Sequence, residues 1–126
     1  LAYDFWAQKF LGEVSGAMDC PALALGCCQA VAFHEKPDYP VVIASDRHVS
    51  MDAVSILSHS WDGKTLRLKL TGPAGETFRY HLWTPGGMKL ALAEQSGCTA
   101  VLERDELTTA VVTFEEKEAD VCLTLA

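Results

Sequence analysis

The feature that most constrains this chain is an alternation of apolar and polar residues, with period two, which dominates the sequence from about Asp46 onward. The cleanest stretch runs from Lys64 to Thr71, where three leucines point to one face and the intervening Thr, Arg and Lys residues point to the other. Turn residues interrupt the alternation about every eight to twelve positions, a spacing typical of β-sandwiches and barrels. The pattern predicts an all-β domain whose strands each pack one face on a core.

The strongest hairpin signal is Asp62-Gly63, because both residues tolerate the positive φ of a tight type I′ turn. We expect this turn to join Ala53 to Trp61 with the leucine strand. In that register His59 lies opposite Leu66 on the core face, which predicts a hydrogen-bonded structural histidine.

Further strands are predicted over 77–83 and near 88–93, 99–103, 108–114 and 119–125. The N-terminal third is ambiguous, since Ala22 to Phe33 is rich in Ala and Leu and has helical propensity. Gly26, the adjacent cysteines and the closing Pro37 favour a strand there. Roughly nine or ten short strands and almost no helix predict an antiparallel β-sandwich of two packed sheets, forming a single domain over residues 1–126.

Composition excludes two classes of partner. The 126 residues, 49% of them hydrophobic, suffice for one core, and the net charge of −7 repels phosphate backbones. We therefore expect no nucleic-acid partner. A run of about 18 uncharged apolar residues is missing, as is the pattern of a signal peptide, so we expect a soluble protein with no membrane partner. The chain starts inside an aromatic, strand-like stretch, Tyr3 to Trp6, which we interpret as a fragment of something longer.

The cysteines form an odd set without a C-x-x-C pair, so neither a zinc site nor a complete disulfide framework is expected. Free cysteine is among the most buried residue types. We therefore expect small apolar core residues rather than redox groups at Cys20, Cys27, Cys28, Cys98 and Cys122.

Catalytic signatures are missing from the sequence. The four histidines lie at least eleven positions apart, too far for the close His-x-His pair of a cupin-like metal site. A serine nucleophile elbow, a phosphate-binding loop and a dinucleotide fingerprint are absent as well. Acidic pairs such as Asp105-Glu106 fall in turns, where charges are usually solvated. We expect no catalytic residue, metal ligand or cofactor in this chain.

The tryptophans Trp6, Trp61 and Trp83 are candidate contacts, since a flat indole stacks on a sugar ring, although tryptophan in a small sandwich more often fills the core. We expect Trp83, which shares a strand face with Arg79 and His81, to be the most exposed of the three.

A second candidate is the polar run Ser45-Asp46-Arg47-His48, which either locks a loop by bonding the backbone or contacts a ligand. Together these features give a set of candidate contacts with a sugar or another domain: Trp6, Arg47, His48, Arg79 and Trp83.

Three stretches in the first half of the chain share a pattern with a known family. Asp4-Phe5-Trp6 precedes Phe10-Leu11-Gly12-Glu13 and Gly16, the run Cys28 to Phe33 comes next, and Pro40 to Ser50 contains Arg47-His48, with Trp61-Asp62 beyond it. In this order the stretches resemble the C-terminal β-sandwich domain that follows the catalytic barrel in melibiase-type α-galactosidases and related glycoside hydrolases. One departure is Leu25-Gly26-Cys27, where that family usually has Pro-His-Gly.

The resemblance implies a non-catalytic role, because the catalytic aspartates of such enzymes belong to the barrel. It also implies that the domain packs against a catalytic barrel of the same parent chain, with Phe5, Trp6 and Phe10 on the barrel-facing side and an apolar surface on the isolated module. Two other interpretations stay open. One is a carbohydrate-binding module that uses Trp83 or Trp61 with Arg79 or His48, and the other is a small metal-dependent β-barrel enzyme.

Overall fold

The computed structural model describes residues 1–47 and 54–126, which form eleven strands in three antiparallel sheets. The predicted all-β antiparallel sandwich is confirmed, with eleven strands rather than nine or ten. Besides the strands, the described residues contain a single 3-10 turn at Pro85–Gly87, and within them no helix is long and apolar enough to cross a membrane. The strands are β1 (Ala2–Asp4), β2 (Lys9–Gly12), β3 (Val31–Phe33), β4 (Val41–Ser45), β5 (Ile56–Trp61), β6 (Thr65–Thr71), β7 (Thr77–Trp83), β8 (Leu90–Ser96), β9 (Cys98–Arg104), β10 (Thr108–Phe114) and β11 (Glu118–Leu125).

Two four-stranded sheets form the sandwich. One has the order β4-β7-β10-β9 and the other the order β5-β6-β11-β8. Both sheets contribute alternate residues to one apolar core, in which Leu66, Leu68 and Leu70 of β6 are buried while Arg67 and Lys69 are exposed. The alternation seen in the sequence is therefore the pattern that closes the core.

A third, small sheet of order β2-β1-β3 covers part of the other face of the β4-β7-β10-β9 sheet. It builds a second apolar cluster, in which Tyr3 packs with Ile43 and Trp83. The second half of β7 is consequently buried on both faces, because Tyr80 and Leu82 point into the sandwich core while His81 and Trp83 lie beneath the N-terminal sheet. A bulge in β4 between Val42 and Ala44 fits this double burial, since it re-aims neighbouring side chains.

The hairpin at Asp62-Gly63 exists, but its register differs from the predicted one. Trp61 pairs with Leu66 and the Asp62 amide donates to the Thr65 carbonyl over 3.2 Å, so Gly63 and Lys64 occupy the turn. His59 then pairs with Leu68 and is exposed. The prediction of a buried structural His59 is wrong, because β5 is an edge strand whose central residues are all exposed.

The segment between β2 and β3 departs most from the prediction. The strand expected over 22–33 is confined to Val31–Phe33, and residues 13–30 form neither strand nor helix. The three cysteines of this segment are exposed, whereas Cys98 is buried and Cys122 is partly buried. The expectation of five core cysteines is therefore wrong for Cys20, Cys27 and Cys28, because their segment contributes nothing to either apolar cluster.

Candidate functional site

A cleft of about 730 Å³ opens between the β1–β2 hairpin and strands β7, β9 and β10. Its volume lies within the usual range of small-molecule sites, roughly 300–1,000 Å³. The hairpin contributes Tyr3, Gln8, Lys9 and Phe10, and the sheet contributes Arg79, His81, Glu103 and Thr109. The turn between β9 and β10 completes the lining with Asp105, Glu106 and Leu107, next to Arg104 at the end of β9.

The floor of the cleft is a hydrogen-bonded network around His81. Gln8 Oε1 lies 3.2 Å from His81 Nε2 and 3.4 Å from the Tyr3 hydroxyl, while Gln8 Nε2 donates to the Phe5 carbonyl over 2.6 Å. Because that last bond fixes which end of the Gln8 amide is the oxygen, His81 must donate from Nε2. Its Nδ1 then accepts from the Thr109 hydroxyl, 3.0 Å away, in the neutral tautomer.

Electrostatics support the neutral imidazole. Burial lowers the pKa of His81 below its usual 6.5, while the negative charge of Asp46 acts in the opposite direction. The Tyr3 ring stacks on His81 with centroids 4.9 Å apart, and burial, reinforced by Asp46, raises the pKa of Tyr3 to about 12. Both rings are therefore uncharged at neutral pH.

The tip of the β1–β2 hairpin delivers Gln8 to this network. Among the described residues Gln8 alone combines a side chain with a positive φ, 50°, a conformation that is strained for most residues. Asp4 holds the turn, since its carboxylate accepts from the Ala7 amide at 3.0 Å and from Gln29 Nε2 at 2.7 Å. These two bonds lower the pKa of Asp4 below its usual value.

One wall of the cleft carries an ion pair between Arg79 and Glu103, whose side chains are each about half exposed. Asp46 fixes the Arg79 backbone through two hydrogen bonds. The Arg79 amide donates to Asp46 Oδ1 over 2.9 Å, and the Arg79 carbonyl accepts from the Asp46 amide. The pair therefore presents a guanidinium from β7 and a carboxylate from β9 in contact with each other across β10.

Of the predicted contact residues that the structure describes, Arg79 lines the cleft, whereas Trp6, Arg47 and Trp83 do not. Trp83 is only 8% exposed and packs beneath the N-terminal sheet, with Lys36 Nζ 5.9 Å from its ring centroid. The expectation that Trp83 is the most exposed tryptophan is wrong, because the alternation along β7 does not reveal that another sheet covers this face. Trp6 is the exposed one, at 52%, in the hairpin turn after β1.

Arg47 lies at the end of β4, away from the cleft. Its guanidinium donates to the Thr71 carbonyl over 2.7 Å and sits 4.8 Å from the Phe78 ring centroid, while its amide donates to Ser45 Oγ. These bonds are those of a loop-locking cluster. Arg47 also lines a second cavity of about 470 Å³ with Thr71 and Lys117. His48 lies outside the described residues.

No protein-family model, curated protein or solved structure matched the chain. Within residues 1–47 and 54–126, no group of three or more His, Cys, Asp and Glu side chains is arranged to hold a metal ion. The side chains that line the cleft offer hydrogen bonds and apolar contact to a ligand.

Several residues of the cleft were not singled out from the sequence, among them Gln8, Glu103 and Thr109. Thr109 pairs with His81 on one side and with Glu103 on the other, so the three form a row across β7, β10 and β9. Only the order of strands in the sheet creates that row, and a single sequence carries no signal for it.

Proposed function

We propose that this chain is a non-catalytic accessory domain of a glycoside hydrolase of the α-galactosidase type, which packs against a catalytic barrel of the same parent chain and stabilises it. The observation that carries the proposal is the exposure of large apolar side chains in the N-terminal third. Of the eight such residues in the described ranges, five precede residue 40: Trp6, Leu23, Leu25, Phe33 and Tyr39.

Exposure on this scale favours contact with a partner surface. Leu25 is fully exposed, Phe33 is 63% exposed, and the segment over 13–30 contains no strand or helix. Covering such side chains in an interface removes apolar area from water, which favours association. The same third of the chain holds the first two stretches that resemble the α-galactosidase domain.

The three aromatic residues expected to face a barrel differ in their accessibility. Phe5 is buried and meets Trp6 edge to face at 4.9 Å, and Phe10 is partly buried against the second apolar cluster. Trp6 thus offers a partner the largest apolar surface of the three, supported from beneath by Phe5. Asp4, by holding the turn, positions that indole.

The coding sequence upstream of Leu1 tests the proposal first. We expect several hundred residues there, with alternating strands and helices and with aspartates at the ends of strands. A start codon close to Leu1 would rule out the accessory role.

A matched pair of substitutions then tests the surface in the parent protein. Leu25→Ser removes an exposed leucine from the N-terminal segment, and Leu57→Ser removes an exposed leucine from the edge strand β5. Leu25→Ser should lower the melting temperature of the parent by a few degrees, because it removes buried apolar area at the interface, while Leu57→Ser should change it little. Equal effects of the two substitutions would contradict docking through the N-terminal segment.

A further inference from the structure

The charges around the cleft are balanced. Three cationic side chains, Lys9, Arg79 and Arg104, line it together with three anionic ones, Glu103, Asp105 and Glu106. His81 adds no charge, because burial keeps its imidazole neutral. A phosphate or an ammonium group would lose part of its hydration without meeting a net opposite charge, which is costly. The lining thus favours an uncharged ligand.

The ion pair on the wall supplies donors and acceptors within reach of one another. A guanidinium has five N–H donors and a carboxylate has about four acceptor positions, and one contact between Arg79 and Glu103 occupies few of them. Both side chains are about half exposed, so a ligand can reach the remaining positions. Neighbouring hydroxyl groups, each of which donates and accepts, match this pair, and bonds to charged partners are the stronger ones.

Apolar side chains also line part of the cleft. Phe10 and Leu107 line it and pack against the second apolar cluster. A pyranose ring has C–H groups on one face and hydroxyls around its edge, so a cleft whose lining combines an aromatic side chain with hydrogen-bonding groups suits it. Straight polyols lack that apolar face.

The floor is already organised before any ligand arrives. The Gln8, His81 and Thr109 side chains are bonded to one another, and Asp46 holds the Arg79 backbone. A site whose groups are fixed in advance loses little conformational entropy on binding.

From these four observations we propose that the cleft binds one neutral pyranose unit, with Arg79 and Glu103 bonding adjacent hydroxyls and Phe10 covering the apolar face of the ring. Sugar binding is thereby assigned to Arg79 and Glu103 rather than to Trp83, which is buried. Such binding requires no catalytic barrel, so its failure would leave the accessory role intact.

Titration of the 126-residue chain by ¹H–¹⁵N NMR tests the site. The probes are methyl α-galactoside, methyl β-galactoside and methyl glucoside, with inorganic phosphate as a charged comparison. We expect saturating shifts of the amide signals of Phe10, Arg79, Glu103 and Leu107 with at least one sugar, and no saturating shifts with phosphate. A full set of dispersed amide signals in each variant shows that it is folded.

Two isosteric substitutions separate the site from a general effect of lost charge. Glu103→Gln should weaken sugar binding by about tenfold or more, since it removes a charged acceptor. Asp62→Asn breaks a comparable exposed pair, that of Asp62 with Arg67 on the β5–β6 hairpin, and should leave binding unchanged. Arg79→Lys should weaken binding as well, because lysine lacks the planar set of donors.

The proposal is overturned by any of three results. The first is the absence of saturating shifts with all three sugars, and the second is a response to phosphate in their place. The third is a response that is not specific to the cleft, either because it maps to residues elsewhere or because Asp62→Asn diminishes it as much as Glu103→Gln does.

Discussion

His81 is the residue through which the N-terminal sheet and the sandwich are most directly joined. It extends from β7, stacks on Tyr3 of β1 and bonds Gln8 at the end of the hairpin turn. A charged imidazole donates from both nitrogens. The Thr109 hydroxyl, which donates to Nδ1 of the neutral ring, would then have to turn and accept from Nδ1 instead. Burial therefore opposes protonation of His81, while the Thr109 hydroxyl can bond the ring as donor or as acceptor.

The stability of the chain should consequently depend on pH through His81. Burial lowers the pKa of His81 in the folded chain below 6.5, while Asp46 and Glu103 raise that pKa and Arg79 lowers it. Between the folded pKa and 6.5, the unfolded chain therefore binds more protons than the folded chain. The stability that neutral His81 contributes is fully present above pH 6.5. It is lost as the pH falls from 6.5 toward the pKa of His81 in the folded chain. Urea unfolding at about pH 8 and pH 5.5 measures this effect. The free energy of unfolding should decrease more between pH 8 and pH 5.5 for the wild type than for His81→Gln. The same decrease in both proteins would assign the effect to other groups.

The connection between β8 and β9 carries the chain from one sheet of the sandwich to the other, and Gly97 forms it. Its φ is +69°, and its carbonyl accepts from the amides of Glu115 and Glu116. A Cβ placed there would lie 2.3 Å from the Glu118 carbonyl oxygen, a backbone atom that cannot move aside without disturbing β11. The position therefore combines two independent reasons for glycine.

Gly97→Ala should destabilise the chain by more than about 3 kcal/mol, because it adds a backbone clash to the left-handed strain. Gly75→Ala is the matched control, since Gly75 has φ +86° in the β6–β7 turn and open space around its Cβ position. Gly75→Ala should lower the free energy of unfolding by about 1–2 kcal/mol, the cost of the left-handed strain alone. Chemical denaturation of the two variants measures both values, and equal losses would show that the Glu118 carbonyl gives way.

At the level of strands, the sequence was most informative for the strands of the sandwich. The predicted strands over 77–83 and 108–114 coincide with β7 and β10, and the leucines of β6 fill the core as expected. Alternation is a local signal, so it survives without knowledge of the partner strands. The register of the Asp62-Gly63 hairpin was less predictable. Moving the turn by one residue to Gly63-Lys64 shifts the partner of His59 from Leu66 to Leu68, and the turn residues alone do not distinguish the two registers.

The cleft could be predicted only in part. Arg79 was identified because it stands on the polar side of an alternating strand, but the sheet that covers Trp83 and His81 comes from the N-terminal third of the chain. Neither periodicity nor turn chemistry reveals which face such a sheet will cover. The exposure of Cys20, Cys27 and Cys28 was missed for a related reason. Cysteine is usually buried where its segment packs in a core, and the segment over 13–30 packs in neither apolar cluster.

The whole molecule consists of three layers of unequal size. The sandwich core combines residues from both four-stranded sheets, whereas the cluster beneath the N-terminal sheet contains five buried residues and three partly buried ones. The outer layer also has short strands, two of three residues and one of four. Fewer ladder bonds and less apolar burial give that layer a lower free energy of opening than the sandwich.

Native-state hydrogen exchange should resolve these layers. Amides in β6, β7, β10 and β11, each of which has a partner strand on both sides, should exchange slowest, through global unfolding at a cost of about 5–15 kcal/mol. Amides of β1 should exchange sooner and those over 13–30 soonest. Gln8→Ala should speed exchange in β1 and leave β10 unchanged, because it removes the bond that joins the hairpin to His81. Uniform protection across all three sheets would instead mean that the N-terminal layer and the sandwich unfold as one cooperative unit.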